Sequence, residues 1–145
     1  MRISDKIKRL ESLDLHEIIN DAAREKKDDI IKINQEQMWS RGVMDINKPN
    51  QKLKYAPSTA RQKRKKATFK KTDFITLRWF GEFYESMKLI FFRYKFVIQS
   101  DDLKWSRWLE PQDRFTDALG LTKKSMGKLR KLLRPSIISQ LKRAI

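Results

Sequence analysis

The chain has no cysteine, so no disulfide and no thiolate metal site can form, and packing alone must hold the fold. A single histidine, His16, falls in the first turn of an expected helix and leaves no His-based ligand set. Glycine and proline are scarce, at four each in 145 residues. No glycine-rich phosphate loop and no nucleophile elbow is present, and four glycines are too few to build a cofactor cradle easily. No apolar run approaches the roughly 20 residues of a membrane-spanning helix. Met1-Arg2-Ile3-Ser4-Asp5-Lys6 places charges where a signal peptide needs an apolar stretch. The absence of cysteine fits a reducing compartment. The expectation is a soluble protein, made and used without export through a membrane.

Negative charge is the most unevenly missing property. From Ile46 to Thr72 there is no acidic residue, while Lys48, Lys52, Lys54, Arg61, Lys63, Arg64, Lys65, Lys66, Lys70 and Lys71 are basic. After Asp117 there is again no acid, and Lys123, Lys124, Lys128, Arg130, Lys131, Arg134, Lys142 and Arg143 follow. The remaining stretches are nearly balanced, so two blocks carry the formal net charge of +16. Segregated cationic surface suits a polyanionic neighbour, nucleic acid foremost. Taken singly, either block also fits a solubilising surface with a flexible loop.

A chain of this length is the size of one domain and buries roughly two-thirds of its unfolded surface. Four Trp, three Tyr and eight Phe are enough for a core. Ile3, Ile7 and Leu10 predict a short opening helix. Asp14 and Glu17 have capping-box spacing, and Leu15, Ile18, Ile19, Ala22, Ala23, Ile30, Ile33 and Trp39 suit one face of a long helix ending at Gly42. Residues 43–75 read as an extended basic loop, interrupted by a short helix from Ser58 as cap through Lys66, with the basic run 61–71 expected to be poorly ordered without its partner. Residues 76–102 hold a helical turn at Glu82–Ser86 and two β-rich runs reversing at Arg93-Tyr94. Their inward phase is Met87, Leu89 and Phe91, then Tyr94, Phe96 and Ile98. Residues 103–145 read as C-terminal helices: a turn carrying Trp105, Trp108 and Leu109 before Pro111, then a helix capped by Thr122 that Pro135 kinks or divides. The predicted class is α+β, a single domain with a long N-terminal helix packed on a small antiparallel sheet.

Catalytic chemistry is sparse. Glu82, Glu85, Asp101 and Asp102 are the only carboxylates grouped near basic residues, and the Glu-x-Lys spacing of a metal-dependent nuclease is absent. Solvation of the hairpin accounts for them. The expectation is no enzyme, no cofactor and no metal. Phe91, Phe92, Tyr94 and Phe96 fit either a base-stacking platform or a sheet face buried under the N-terminal helix.

The order of several short motifs carries a resemblance. Trp39-Ser40-Arg41-Gly42-Val43 precedes Tyr55-Ala56-Pro57-Ser58-Thr59-Ala60 and the Lys/Arg run. Leu77-Arg78-Trp79-Phe80-Gly81-Glu82-Phe83-Tyr84-Glu85-Ser86, β-rich sequence and Ala118-Leu119-Gly120-Leu121-Thr122 follow. Over roughly residues 36–125 this resembles a family of small structural proteins of tailed bacteriophages, found at the head–tail connection or as minor tail and tail-completion components. Two features depart from it: Phe80 stands where the family has Thr, and Asn47-Lys48-Pro49-Asn50 lacks a glycine. The resemblance implies a virion protein of the neck or tail, assembled in the host cytoplasm as copies of itself in a ring around the genome channel. Its implied partners are portal, connector or tail proteins and phage DNA, met through non-specific phosphate contacts, with no membrane. Arg61, Lys63, Arg64, Lys65, Lys66, Lys70 and Lys71 are then expected to face DNA or a neighbour, with Tyr55 and Pro57 anchoring the loop. Lys123, Lys124, Lys128, Arg130 and Lys131 form a second patch. The alternative is a free intracellular accessory protein binding DNA or RNA without sequence preference; a metal-dependent nuclease is the weaker third.

Overall fold

The computed structural model describes residues 1–102 and 115–145. The turn expected around Trp105, Trp108, Leu109 and Pro111 lies outside the described residues. The class is α+β, as expected: among the described residues, helices accompany one antiparallel hairpin.

Helix α1 (Ile3–Glu11) has Ile3, Ile7 and Leu10 on one face, and it buries none of them. Helix α2 (Leu15–Glu25) starts where Asp14 accepts hydrogen bonds from the backbone N–H groups of His16 (3.0 Å) and Glu17 (3.3 Å). The expected single helix from Leu15 to Arg41 is instead two. Lys26 leaves helical geometry (φ −114°, ψ 18°), and α3 (Lys27–Arg41) begins after it. Lys26 lies four residues from both Ala22 and Ile30, which are fully buried. A continuous helix would drive its ammonium into that stripe, and the break leaves it half-buried. Gly42 ends α3 in the left-handed region (φ 64°), with Gly42 N–H donating to Met38 O at 3.1 Å and Val43 N–H to Gln37 O at 3.2 Å. A Cβ at Gly42 would lie 2.5 Å from the Phe74 ring, so the close approach also demands glycine.

Helix α4 (Pro57–Lys66) begins one residue before the expected cap. Pro57 occupies the first turn, Ala56 precedes it, and no side chain caps the end; Ser58 lies inside the helix. A proline at the first position has no N–H to satisfy and has φ preset, which favours a helix start there. A short α5 (Glu82–Glu85) leads into β1 (Met87–Phe91). β2 (Phe96–Ser100) pairs with β1 in register Met87↔Ser100, Leu89↔Ile98, Phe91↔Phe96. The reversal falls at Arg93-Tyr94 as predicted, with Phe92 N–H donating to Lys95 O at 2.7 Å. The inward phase holds for Met87, Leu89, Phe91, Phe96 and Ile98, which join the core or pack against it. Tyr94 is the exception, because it sits in the turn itself; it is 60% exposed and meets His16 edge to face at 4.9 Å. Asn20 Nδ2 donates to Phe92 O (2.8 Å), and Gln35 Nε2 to Tyr84 O (2.7 Å), fastening the hairpin region to α2 and α3.

A 3-10 turn (Thr116–Ala118) precedes α6 (Lys123–Ala144), whose cap Thr122 accepts from Ser125 N–H at 3.2 Å. Pro135 does not divide this helix. Leu129 and Leu133 on one side of it, and Ile137 on the other, pack against the same core, which holds both halves in line.

The inner face of α3 is not purely apolar. Asn34 and Gln37 are buried, and their amides satisfy the chain entering α6. Asn34 donates to Ala118 O (3.1 Å) and accepts from Gly120 N–H (2.9 Å). Gln37 donates to Gly120 O and accepts from Thr122 N–H (3.3 Å). Replacing Asn34 with Ala strands a buried carbonyl and a backbone N–H, an expected loss of about 2–4 kcal/mol. Urea denaturation of Asn34→Ala against wild type checks it; a loss below about 1 kcal/mol would show that water or repacking substitutes for the amide.

Candidate polyanion-binding surface

Ala60, Lys63 and Ala67 recur at helical spacing on the inner side of α4, and all three are buried. Between two alanines the long Lys63 stem fills the space a larger apolar residue would take. Its Nζ donates to Lys71 O (2.6 Å) and Thr76 Oγ1 (3.1 Å) and lies 4.9 Å from the Tyr55 ring centroid. The expectation that Lys63 faces DNA or a neighbour is therefore wrong: its side chain is fully buried, and its donors are spent inside. Tyr55 does sit at the base of this segment, accepting from Thr76 N–H at 3.2 Å.

Lys71 is corrected in the same way. It is half-buried, its Nζ donates to Trp39 O (3.0 Å), and the ammonium lies over the Phe74 ring (4.5 Å) and the Trp39 ring (5.3 Å). Beside it the Arg78 guanidinium stands over Phe69 (3.9 Å), Tyr84 (4.8 Å) and Trp39 (5.2 Å). Cation–π contacts of this kind contribute about 0.5–2 kcal/mol each, more when water is excluded. The Tyr84 hydroxyl donates to Thr76 O at 2.6 Å. Burial pushes this phenol well above the ordinary tyrosine range, and the nearby Arg78 charge offsets only part of the shift. Sequence inspection passed over Arg78; its place among Phe69, Trp79 and Tyr84 was the available signal. The basic run 61–71, expected to be poorly ordered without its partner, is fastened to its surroundings through Lys63 and Lys71.

The remaining candidates are exposed. Arg61, Arg64 and Lys65 share the outer side of α4, with Lys66 and Lys70 close by in sequence. Arg64 Nη1 donates to Thr72 Oγ1 at 3.1 Å, which fixes its direction. On α6, Lys123, Lys124, Lys128, Arg130 and Lys131 are all exposed, opposite the buried Ser125, Leu129 and Leu133. Among the described residues the ion pairs are Arg24–Asp21 and Lys88–Asp101, so no carboxylate neutralises either cationic face. Asp101 is occupied by Lys88 at 2.6 Å, and no group of three or more metal-ligating side chains occurs among the described residues. The aromatic ribbon splits between its two readings. Phe91 and Phe96 meet inside at 5.9 Å, whereas Phe92 and Tyr94 are exposed beneath Lys95 and Arg93. No described helix is long and apolar enough to cross a membrane.

This geometry suits non-specific contact with a polyanion: exposed cations on helices and, among the described residues, no carboxylate paired to them. No family model, no curated protein and no solved structure matches the chain.

Tyr84 generates an alkaline prediction. A phenol whose folded pKa is raised stabilises the fold fully below the unfolded value of about 10, and that stability is lost as pH rises through the folded value. Ultraviolet titration should show one tyrosine ionising late, together with unfolding. Tyr84→Phe should remove that late step, and a late step that persists in this variant would assign it elsewhere.

Proposed function

We propose that this chain is a non-enzymatic structural subunit that contacts nucleic acid through phosphates, working as one of many copies in a ring at the head–tail connection or tail of a tailed phage. The observation that carries the polyanion contact is the outer side of α4, where Arg61, Arg64 and Lys65 face solvent without a carboxylate while Lys63 pins the helix from within. A cationic face on a pinned helix loses little conformational entropy on meeting a phosphate backbone. Its contacts are indifferent to base sequence, as a subunit bordering a passing genome requires. The ordered motifs from Trp39 to Thr122 support the ring assignment, with the portal, connector or tail proteins as neighbours. Contacts between copies can each be weak, because closing a ring makes them mutually supporting.

A free single-strand-binding accessory role is the second reading. Phe92 and Tyr94 favour it, since both are exposed at the hairpin tip beside Arg93 and Lys95.

Two measurements test these roles. Affinity for duplex DNA should fall steeply with salt and be independent of sequence. Replacing Arg61, Arg64, Lys65 and Lys66 with Gln should flatten the log–log salt slope by up to about 3.6 units. Lys63→Met should leave that slope unchanged, and an equal flattening there would return Lys63 to the binding face. Gel analysis of purified particles and assembly intermediates should find the chain; its absence from all of them would leave the free nucleic-acid-binding role.

A further inference from the structure

The two basic blocks, far apart in sequence, meet at one place. A cleft of about 910 Å³ opens between the 46–52 segment and the start of α6. Arg41 reaches it from the end of α3, Lys52 from the segment following Gly42, and Lys123 and Lys124 from the first turn of α6. Asn47 and Asn50 add neutral polar groups to the wall. Arg41 is held in place, its Nη2 donating to Oγ of the fully buried Ser125 at 2.8 Å. Lys52 lies over the Phe74 ring at 5.3 Å, which steadies it without neutralising it. Among the described residues no carboxylate lines the cleft, and four basic side chains share its wall. A wall lined by one sign of charge favours an anion. The positive end of the 22-residue α6 lies at the same wall and adds to the field.

We propose that this cleft is a binding site for the phosphodiester backbone of a nucleic-acid strand. The proposal rests on the polyanion-contacting role above and gives it a location. Several features select this ligand class. The volume exceeds that of one phosphate and accommodates a short run of backbone. Among the described residues no aromatic side chain lines the cleft, which favours contact to phosphate over base stacking. The asparagines hydrogen-bond to phosphate or sugar oxygens without reading sequence. The cleft thus turns two separate charge blocks into one track, with the cationic face of α6 leading away from it.

The test uses the full chain and a fluorescein-labelled single-stranded oligonucleotide of mixed sequence, titrated over a range of salt. The exposed residues Lys52, Lys123 and Lys124 are replaced together by Gln. A control of equal charge replaces Lys6, Lys8 and Arg9 of α1 by Gln. At about 0.7 of slope per phosphate on a single strand, the cleft variant should flatten the log–log plot by about 2 units, and the control by less than one. Equal flattening in both overturns the cleft while leaving the polyanion role standing. No binding of the single strand by the wild type overturns the cleft, and no binding of duplex DNA either overturns the polyanion role with it. Inorganic tripolyphosphate is titrated separately. If it binds tightly through these three lysines while oligonucleotide binding ignores them, the cleft belongs to a free polyphosphate and the proposal fails.

Discussion

Two buried amides, on Asn34 and Gln37, fix the 118–122 segment against α3, because a buried amide is costly unless its donor and acceptor are both satisfied. Each amide uses both its donor and its acceptor on the 118–122 segment. A buried amide half satisfied would destabilise the fold, whereas one satisfied at both ends admits a single register. The 118–122 segment runs directly into the Thr122 cap of α6, so the amides also determine how α6 lies across α2 and α3. The meeting of Lys123 and Lys124 with Arg41 depends on that placement, as does the Arg41–Ser125 hydrogen bond. Core packing and candidate site therefore share one constraint.

The first basic block does two jobs with one residue type. Lys63 and Lys71 turn inward, where their stems supply packing and their ammonium groups meet carbonyl oxygens, a hydroxyl and aromatic faces. Arg78 completes a cluster with Trp39, Phe69 and Tyr84. In a chain only 39% hydrophobic, such cations cover apolar surface that larger aliphatic residues would cover elsewhere. Placing positive charge inside without carboxylates is costly, and the π faces and carbonyls offset that cost. Lys63 anchors α4 from within, and Arg61, Arg64 and Lys65 are displayed on its outer side.

Much of the architecture was legible from local signals. Asp14, Gly42 and Thr122 act at helix ends through bonds to backbone groups a few residues away, so their roles can be read from neighbours alone. The hairpin and its inward phase follow from alternation over ten strand residues, and only Tyr94 in the turn escaped it. Where a distant part of the chain intervened, local reading failed. The break at Lys26 arises from what α2 and α3 both bury, and the continuity of α6 through Pro135 comes from the core on either side of it. Asn34 and Gln37 gave no local sign of their task, since their partners lie more than 80 residues ahead.

The amino-acid sequence by itself determined the α+β class, the helix ends at Asp14, Gly42 and Thr122, the hairpin and the segregation of positive charge into two blocks. Each of these is a property of composition, spacing or near neighbours. Only the tertiary structure decided which basic residues are scaffold and which are surface. It also decided that Arg41, Lys52, Lys123 and Lys124 converge on one cleft. The physical reason is that the fate of a cation depends on what lies opposite it. Lys63 and Lys65 are indistinguishable by charge and helical propensity. One points at Thr76 and Tyr55, the other at water, and only the packing of α4 against the core separates them.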